Sequence, residues 1–224
     1  MKNIPRVFIG QKLEEGAVVP LTDSGLRYLV RVMRTDKFLA FNDGAEYNAI
    51  ILVNRAKILE KTKHIDPSGN WTLCFAPIKK MEDLIAGAVQ MGVGRLQPVI
   101  TEHTVARHVK WERMKKIIIE NSEQSGRNSL PELLPPIPFR SLDKKGLAFG
   151  DERKAAPSAR SHNLGPAIKP RDDNVLFIGP EGGFSDAEFA VLDKEGAIGI
   201  SLGSTILRSE VAAVALAAKL IGNK

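Results

Sequence analysis

Apolar and polar positions follow two different periods along the first third of the chain. The apolar runs RVFIG (6–10) and AIILVN (49–54) are rich in β-branched residues and predict strands. Asp43-Gly44, within FNDG, is a hairpin signal between two such strands. A helix is predicted for GLRYLVRVMR, because four apolar positions recur there at helical spacing: Leu26, Leu29, Val30 and Met33. This region therefore predicts a small β-rich unit.

From about residue 72 onward, short apolar runs alternate with amphipathic helical segments. Strands are predicted at LCFAP, RLQPVI, GLAFG, NVLFIG and AIGISLG, and helices at KMEDLIAGAVQMG, WERMKKIIIENSEQSG, SDAEFAVLDKEG and SEVAAVALAAKLIG. Pro98 in RLQPVI indicates an edge strand or a bend. This alternation is typical of an α/β fold with a mostly parallel sheet. We therefore predict two domains, residues 1–72 and 73–224.

The charge of the chain suggests a partner. Its 224 residues carry a formal net charge of +6, which suits a polyanion such as RNA, although such a charge also serves solubility alone. Arg27, Arg31 and Arg34 repeat at helical spacing away from the apolar face. They form either a nucleic-acid-binding face or an ordinary solvated one.

Other composition data exclude several classes of protein. Cys74 is the only cysteine and lies in an apolar run, which excludes an intramolecular disulfide framework and a cysteine zinc cluster. The four histidines show no paired ligand spacing, so we expect no metal. MKNIPRVFIG lacks the apolar core of a signal peptide, and the apolar C-terminal run is too short to span a bilayer. We expect a cytoplasmic protein without membrane attachment.

Two glycine-containing corners follow apolar strands near the C-terminus. In FIGPEGGFSDAEFA, Ser185 and Glu188 form a capping box, so Gly179–Gly183 is the corner before a helix. In LGSTILRSEVAA, Gly203 opens a loop that ends at Arg208 and Glu210, which either cap and pair locally or serve a site. Neither corner carries a lysine or matches a phosphate-binding motif. Bare backbone beside apolar side chains suits a flat nucleoside such as adenosine.

These two motifs, in this order, resemble the C-terminal motifs of the RsmE family. This family consists of SPOUT-class methyltransferases that modify N3 of a uridine in small-subunit (16S) ribosomal RNA. YLVRVMR and FNDG resemble its PUA-like RNA-binding domain, and ENSEQSGRNSLPEL resembles its EQSGR…P segment, so nearly the whole chain is covered. The chain departs from the family at Ser204-Thr205, where Pro-Arg is usual, and at Gly87 and Gln90, which replace charged residues.

The resemblance implies a fold and a cofactor. The fold would be a SPOUT-type parallel sheet with a C-terminal trefoil knot, a rare topology, after a small PUA-like β-barrel. The cofactor would be S-adenosyl-L-methionine, bent within the knot. By motif, its site would comprise Ile178, Gly179, Pro180, Gly183, Leu202, Gly203, Ile206 and Leu207, with Phe149 of LAFG as a further wall.

The resemblance also assigns the chemistry and the partners. Arg208 is the candidate cation that stabilises the anionic uracil ring, and Glu210 either orients Arg208 or removes the N3 proton. RNA would be bound by six arginines: Arg6, Arg27, Arg31, Arg34, Arg107 and Arg127. The enzymes of this class act as homodimers, and the last helix would form part of that interface or pack internally. The substrate would be either the free small-subunit ribosomal RNA or the same RNA within the assembled subunit.

Two other functions remain open. One is a SPOUT methyltransferase of different RNA specificity, acting on transfer RNA or on a ribose 2′-hydroxyl. The other is an RNA-binding homologue that keeps the fold without catalysis. Arg208 and Glu210 argue against a non-catalytic protein, and the PUA-like start with EQSGR favours the uridine enzyme.

Overall fold

The chain forms two compact units. The computed structural model describes residues 4–66, 69–106, 109–154 and 174–221. Unit 1 comprises Met1–Ser68 and Ile119–Leu130, and unit 2 comprises Gly69–Ile118 and Pro131–Lys224. The contacts therefore group residues 119–130 with the N-terminal part, whereas the predicted division at residue 72 treats the chain as two continuous segments.

Unit 1 is built on a five-stranded sheet. Its elements are β1 (Arg6–Phe8), β2 (Val18–Pro20), α1 (Asp23–Arg27), a π-helix (Tyr28–Met33), β3 (Lys37–Asn42), β4 (Ala45–Leu52) and β5 (Arg55–Lys61). The strand order is β1-β3-β4-β5-β2, with β1 parallel to β3 and the other pairs antiparallel. Asp43 and Gly44 both have positive φ in the turn between β3 and β4, which confirms the predicted hairpin.

The helical segment of unit 1 differs from its prediction. The α-helix α1 spans only five residues after its cap at Thr22, and the chain then continues as a π-helix that ends at Arg34 with φ 52°. Leu29 is buried, but Val30 is 52% exposed although it was predicted on the apolar face. A π-helix forms i→i+5 hydrogen bonds, so a pattern read at 3.6 residues per turn assigns some of its side chains to the wrong face.

Unit 2 contains the predicted parallel sheet. Its elements are β6 (Thr72–Phe75), α2 (Met81–Gln90), β7 (Arg95–Ile100), α3 (Trp111–Ser125, whose last residues belong to unit 1), β8 (Glu132–Leu133), β9 (Ile137–Pro138), β10 (Ala148–Gly150), β11 (Val175–Ile178), α4 (Asp186–Lys194), β12 (Ile198–Ile200) and α5 (Ser209–Ile221). The order is β12-β10-β11-β6-β7-β8, with β9 also on β7, and every pair is parallel. The α/β class with a parallel sheet is confirmed.

Pro98 lies inside this sheet because its neighbours leave a gap. On one side β7 pairs with β6 through residue 98, and on the other β8 pairs with Arg95 and Leu96 while β9 pairs with Val99 and Ile100. The side-chain amide of Gln97 donates to the Pro135 carbonyl oxygen at 2.7 Å within this gap. A proline, which lacks a backbone donor, is therefore tolerated here although β7 is not an edge strand.

Side chains pack closely in unit 2, both in its aromatic core and between helices α2 and α5. Phe149, Phe177, Phe184 and Phe189 form one aromatic cluster, with ring centroids 4.9 to 6.3 Å apart. Helices α2 and α5 approach at Gly87, where a Cβ would lie 2.4 Å from Cγ2 of Val214.

Among the described residues, none of the helices combines the length and apolar character needed to cross a membrane.

Candidate active site

One cavity of about 720 Å³ opens where four parallel strands end. The loops after β6, β10, β11 and β12 all contribute to it, because parallel strands present their carboxyl ends at the same edge of a sheet. Its wall includes Lys79, Lys80, Val105, residues 150–152, residues 178–184, Leu202, Gly203, residues 205–210 and Ala212. A cavity of this size is typical of small-ligand sites.

The loop between β11 and α4 is held by its own backbone and by the cap of α4. Gly183 has φ 70°, a conformation that favours glycine, and its N–H donates to the Pro180 carbonyl oxygen at 3.0 Å. Ser185 and Glu188 form the predicted capping box, and the rings of Phe184 and Phe189 pack edge to face. The sequence signals for this corner are therefore confirmed, and they fix the direction in which the chain enters α4.

Glu181 and Glu188 tie this loop to neighbouring strand ends. The Glu181 carboxylate accepts the backbone N–H of Lys79 at 3.3 Å, which joins the loop to the end of β6. The Glu188 carboxylate accepts the backbone N–H of Glu102 at 2.9 Å, which joins it to the end of β7. A lone carboxylate in a glycine corner thus serves to hold two loops together.

The loop between β12 and α5 supplies the second wall. Gly203 has φ 135°, and a Cβ there would meet no atom within 4 Å. Ile206 is 77% exposed, although its side chain is large and apolar. Lys219 donates from its ammonium to the Ser201 carbonyl oxygen at 2.8 Å and anchors the start of the loop to α5. This loop therefore presents apolar surface and bare backbone to the cavity.

Arg208 and Glu210 both line the cavity but do not contact each other in the described part of the chain. The Glu210 carboxylate lies 3.7 Å from the Lys80 ammonium and is largely buried. The Arg208 side chain is exposed and has no hydrogen bond or ion pair with any described residue. The cavity wall therefore combines a carboxylate that is paired with Lys80 and a guanidinium that is available to contact a ligand.

The structure brings together eight of the nine residues predicted to bind a cofactor: Ile178, Gly179, Pro180, Gly183, Leu202, Gly203, Ile206 and Leu207. The ninth, Phe149, has its side chain fully buried in the aromatic cluster, and its neighbour Gly150 lines the cavity. Its assignment to the cofactor stays a prediction. Alternate residues of a strand point to opposite faces. The motif identified a strand end that reaches the cavity, and the residue that lines it there is Gly150.

Sequence reasoning missed two groups of charged residues. Lys79 and Lys80, which precede α2, bring ammonium groups to a cavity whose two corners carry no lysine. Asp151 and Glu152 follow β10, and the signal that would have found them is their position directly after a parallel strand. Of the described residues, no three histidine, cysteine, aspartate or glutamate side chains are grouped as metal ligands.

Asp151 is fixed by Arg153. Its two carboxylate oxygens accept from the Arg153 guanidinium at 2.8 and 2.9 Å, and Asp151 is 3% exposed. Arg153 also pairs with Asp193, whose pKa it lowers, and lies 4.1 Å from the centroid of the Phe189 ring. This network fixes the position of Asp151 in the cavity wall at the end of β10.

The candidate RNA-binding arginines fall into three groups. Arg27, Arg31 and Arg34 are exposed in unit 1, and Arg107 lies outside the described residues. Arg6 is committed to the interior of unit 1, because its guanidinium lies 2.9 Å from the Glu46 carboxylate and donates to Asn128 at 2.7 Å. Arg127 is 1% exposed, and burial lowers its pKa. Partners distant in sequence therefore remove Arg6 and Arg127 from the surface.

Comparison with known proteins identifies relatives of this chain. The family model described as an RNA methyltransferase domain matches residues 66–221. Ribosomal RNA small subunit methyltransferase E of Mesomycoplasma hyopneumoniae is 30% identical over 228 residues, which cover 96% of this chain and 98% of that protein. The enzyme of the same name from Synechocystis is 33% identical, covering 90% of this chain and 72% of that protein.

A solved structure is similar over the same length. The crystal structure of a ribosomal RNA small subunit methyltransferase E from Neisseria gonorrhoeae, bound to S-adenosyl methionine, superimposes with a TM-score of 0.80. The two chains are 27% identical, and the match covers 96% of each. This chain belongs to the ribosomal RNA small subunit methyltransferase E (RsmE) family of RNA methyltransferases.

Proposed function

We propose that this protein transfers a methyl group from S-adenosylmethionine to N3 of a uridine in small-subunit ribosomal RNA. One observation carries the proposal: two glycine corners distant in sequence line a single cavity together with Arg208. Relatives named as methyltransferases of this RNA, and a similar structure bound to S-adenosyl methionine, support it.

The residues around the cavity fit the cofactor. A nucleoside needs apolar walls and backbone hydrogen-bonding groups, which Ile178, Leu202 and Gly203 provide. Gly150 keeps the wall open, since a Cβ there would lie 3.1 Å from Ile178 and 3.2 Å from Leu202. The methionine part carries both signs of charge, and the wall offers Glu152 as an anion and Lys79 as a cation.

The bound cofactor supplies an electrophilic methyl carbon attached to a sulfonium, so the remaining requirement is a nucleophilic nitrogen. The neutral imide of uracil is a poor nucleophile, and loss of its N3 proton leaves negative charge on the ring carbonyls. We propose that Arg208 faces these carbonyls, because a guanidinium keeps its charge at any physiological pH. Since Glu210 has no bond to Arg208 among the described residues, we assign it the removal of the N3 proton.

The architecture proposed around this chemistry follows the family. Residues 1–72 would form a PUA-like RNA-binding barrel, for which the five-stranded sheet of unit 1 is compatible, and residues 73–224 would form the SPOUT domain. The loops after β11 and β12 would belong to a trefoil knot. Val211 of α5 is 49% exposed and would lie in a homodimer interface.

Substitution of Arg208 tests the catalytic assignment. We expect Arg208→Ala to lower kcat by about 10²- to 10³-fold, the usual loss for a group that stabilises transition-state charge. The dissociation constant of S-adenosylmethionine, measured by calorimetry, should change little because the apolar walls remain. Arg140→Ala is the matched control, since Arg140 is exposed in unit 2 outside the cavity. Near-normal turnover of Arg208→Ala would remove Arg208 from the mechanism.

The RNA product tests the activity itself. Nucleosides of small-subunit ribosomal RNA from cells with and without the gene are separated and quantified by mass spectrometry. We expect 3-methyluridine to disappear without the gene and to return with the wild-type chain but not with Arg208→Ala. Loss of a 2′-O-methylated nucleoside instead would assign the enzyme to another specificity.

A further inference from the structure

Val105 is an exposed apolar residue in the cavity wall to which no role has yet been assigned. It lies in the loop after β7, and its side chain is 68% exposed. An aliphatic side chain that stays in water contributes little to folding. The other exposed large apolar side chains in the described part of unit 2 are Ile206, predicted to bind the cofactor, and Val211, proposed to lie in a dimer interface. Neither folding nor these assignments account for Val105.

Hydrogen bonds hold the segment directly before Val105. Thr104 is buried, and its hydroxyl accepts the Thr101 N–H at 2.9 Å. His103 donates from Nδ1 to the Gly183 carbonyl oxygen at 3.1 Å, which joins this loop to the glycine corner after β11. The backbone that carries Val105 is therefore in place before a ligand binds, as the positioning of a reacting group requires.

The strand order separates Val105 from the residues predicted to bind the cofactor. The sheet runs β12-β10-β11-β6-β7, the two glycine corners follow β11 and β12, and Gly150 ends β10. Val105 follows β7, which lies two strands beyond β11, or about 10 Å at the usual strand spacing. Val105 therefore extends the cavity wall beyond the part that the cofactor residues form.

The carboxylate assigned to removal of the N3 proton lies toward the same side. Glu210 is 3.7 Å from the Lys80 ammonium, and Lys80 belongs to the segment between β6 and α2. Strand β6 lies between β11 and β7. A uracil ring whose N3 faces Glu210 would thus lie between the cofactor corners and Val105. Enzymes that act on an extruded base hold its ring between apolar or aromatic side chains, and Val105 is an apolar group of this kind.

We propose that Val105 contacts the ring of the target base and positions its N3 between the methyl donor and Glu210. This inference rests on the proposed function, from which it takes the target base. The base is the occupant that the site favours, because Val105 lines the same cavity as Arg208 and Glu210. The exposure of Val105 in the free protein is consistent with this role, since a side chain that contacts a base only in the complex stays in water until the RNA binds.

Three substitutions of Val105 test the contact. Val105→Ala shortens the side chain, Val105→Thr keeps its shape but replaces a methyl group by a hydroxyl, and Val105→Ile keeps a branched apolar group. With saturating S-adenosylmethionine, we expect the first two to lower kcat/KM for the RNA about tenfold, near the lower end of the cost of a methylene lost from an apolar pocket. Val105→Ile should retain activity. Val191→Ala is the matched control, because Val191 is half-buried in α4 outside the cavity.

The readouts distinguish failure of this proposal from failure of the proposed function. The substrate is small-subunit ribosomal RNA from cells that lack the gene, assayed both free and within assembled subunits, and calorimetry gives the affinity for S-adenosylmethionine. Wild-type kcat/KM in both Val105→Ala and Val105→Thr would overturn the proposal. A loss of S-adenosylmethionine affinity that matches the loss of kcat/KM would also overturn it, because Val105 would then belong to the cofactor wall. If the wild-type chain forms no 3-methyluridine, the proposed function fails, and the same variants are compared on the nucleoside that it does methylate.

Discussion

Gly87 tests how closely α2 packs on α5 in unit 2. A Cβ at this position would lie 2.4 Å from Cγ2 of Val214, well inside van der Waals contact. Val214 cannot easily turn the methyl group away, because valine in a helix has one strongly preferred χ1 rotamer. The Gly87→Ala variant must therefore either separate the two helices or force Val214 out of its rotamer.

The magnitude follows from two opposing effects. Glycine to alanine in a helix interior ordinarily stabilises a protein by about 1 kcal/mol. Overpacking by one methyl group in a fitted contact costs about 1–3 kcal/mol. We expect the second effect to exceed the first, so that Gly87→Ala lowers the free energy of unfolding of unit 2 by about 1 kcal/mol.

Tryptophan fluorescence follows this unit selectively. Trp71 and Trp111 are the two tryptophans of the chain, and both lie in unit 2. Urea titrations compare the wild type with Gly87→Ala, first alone and then in a Val214→Ala background that lacks Cγ2. In that background the same substitution should stabilise by about 1 kcal/mol. Stabilisation in the wild-type background as well would refute the close packing of α2 on α5.

Three further predictions concern the cap of α4, a buried carboxyl and the single thiol. Ser185→Ala should lower the stability of unit 2 by about 1 kcal/mol in urea titrations, because it removes the side-chain acceptor of the capping box. Burial raises the pKa of Glu123 from 4.5 to about 7, so the folded state holds a proton that the unfolded state has lost. Stability should therefore fall by roughly 1–3 kcal/mol from pH 4.5 to 7.5, and Glu123→Gln should abolish this slope in thermal melts. Burial raises the pKa of Cys74 to about 12, so a thiol reagent should label it only after unfolding in denaturant.

The predictable parts of the fold are those that depend on residues close together in the sequence. The capping box of Ser185 and Glu188 and the hairpin at Asp43-Gly44 need only contacts within a few positions, and both are confirmed. The α/β class is similarly local, since it follows from the alternation of strand and helix patterns. The side chain of Phe149 is buried rather than in the cavity wall, because the face that a short strand presents depends on the layers that cover it.

The parts that were not predictable depend on pairings distant in sequence. Arg6 is withdrawn from the surface by Glu46 and Asn128, and no local pattern identifies these partners. Asp151 and Lys79 reach the cavity because β10 and β6 both flank β11, an order that periodicity does not contain. The motifs therefore identified two walls of the cavity, and strand order determined which charges completed it.

The electrostatic state of the cavity connects the fold to the proposed chemistry. Lys80 faces Glu210 and Arg153 holds Asp151, so each of these carboxylates has a cationic neighbour, whereas Arg208 has no partner among the described residues. An exposed guanidinium costs the folded state little, because water solvates it. When a cofactor and a uracil ring exclude that water, the same charge acts in a lower dielectric and its attraction for an anionic ring increases several-fold. A cation that the fold leaves in water is thus well suited to stabilise charge that forms only during the reaction.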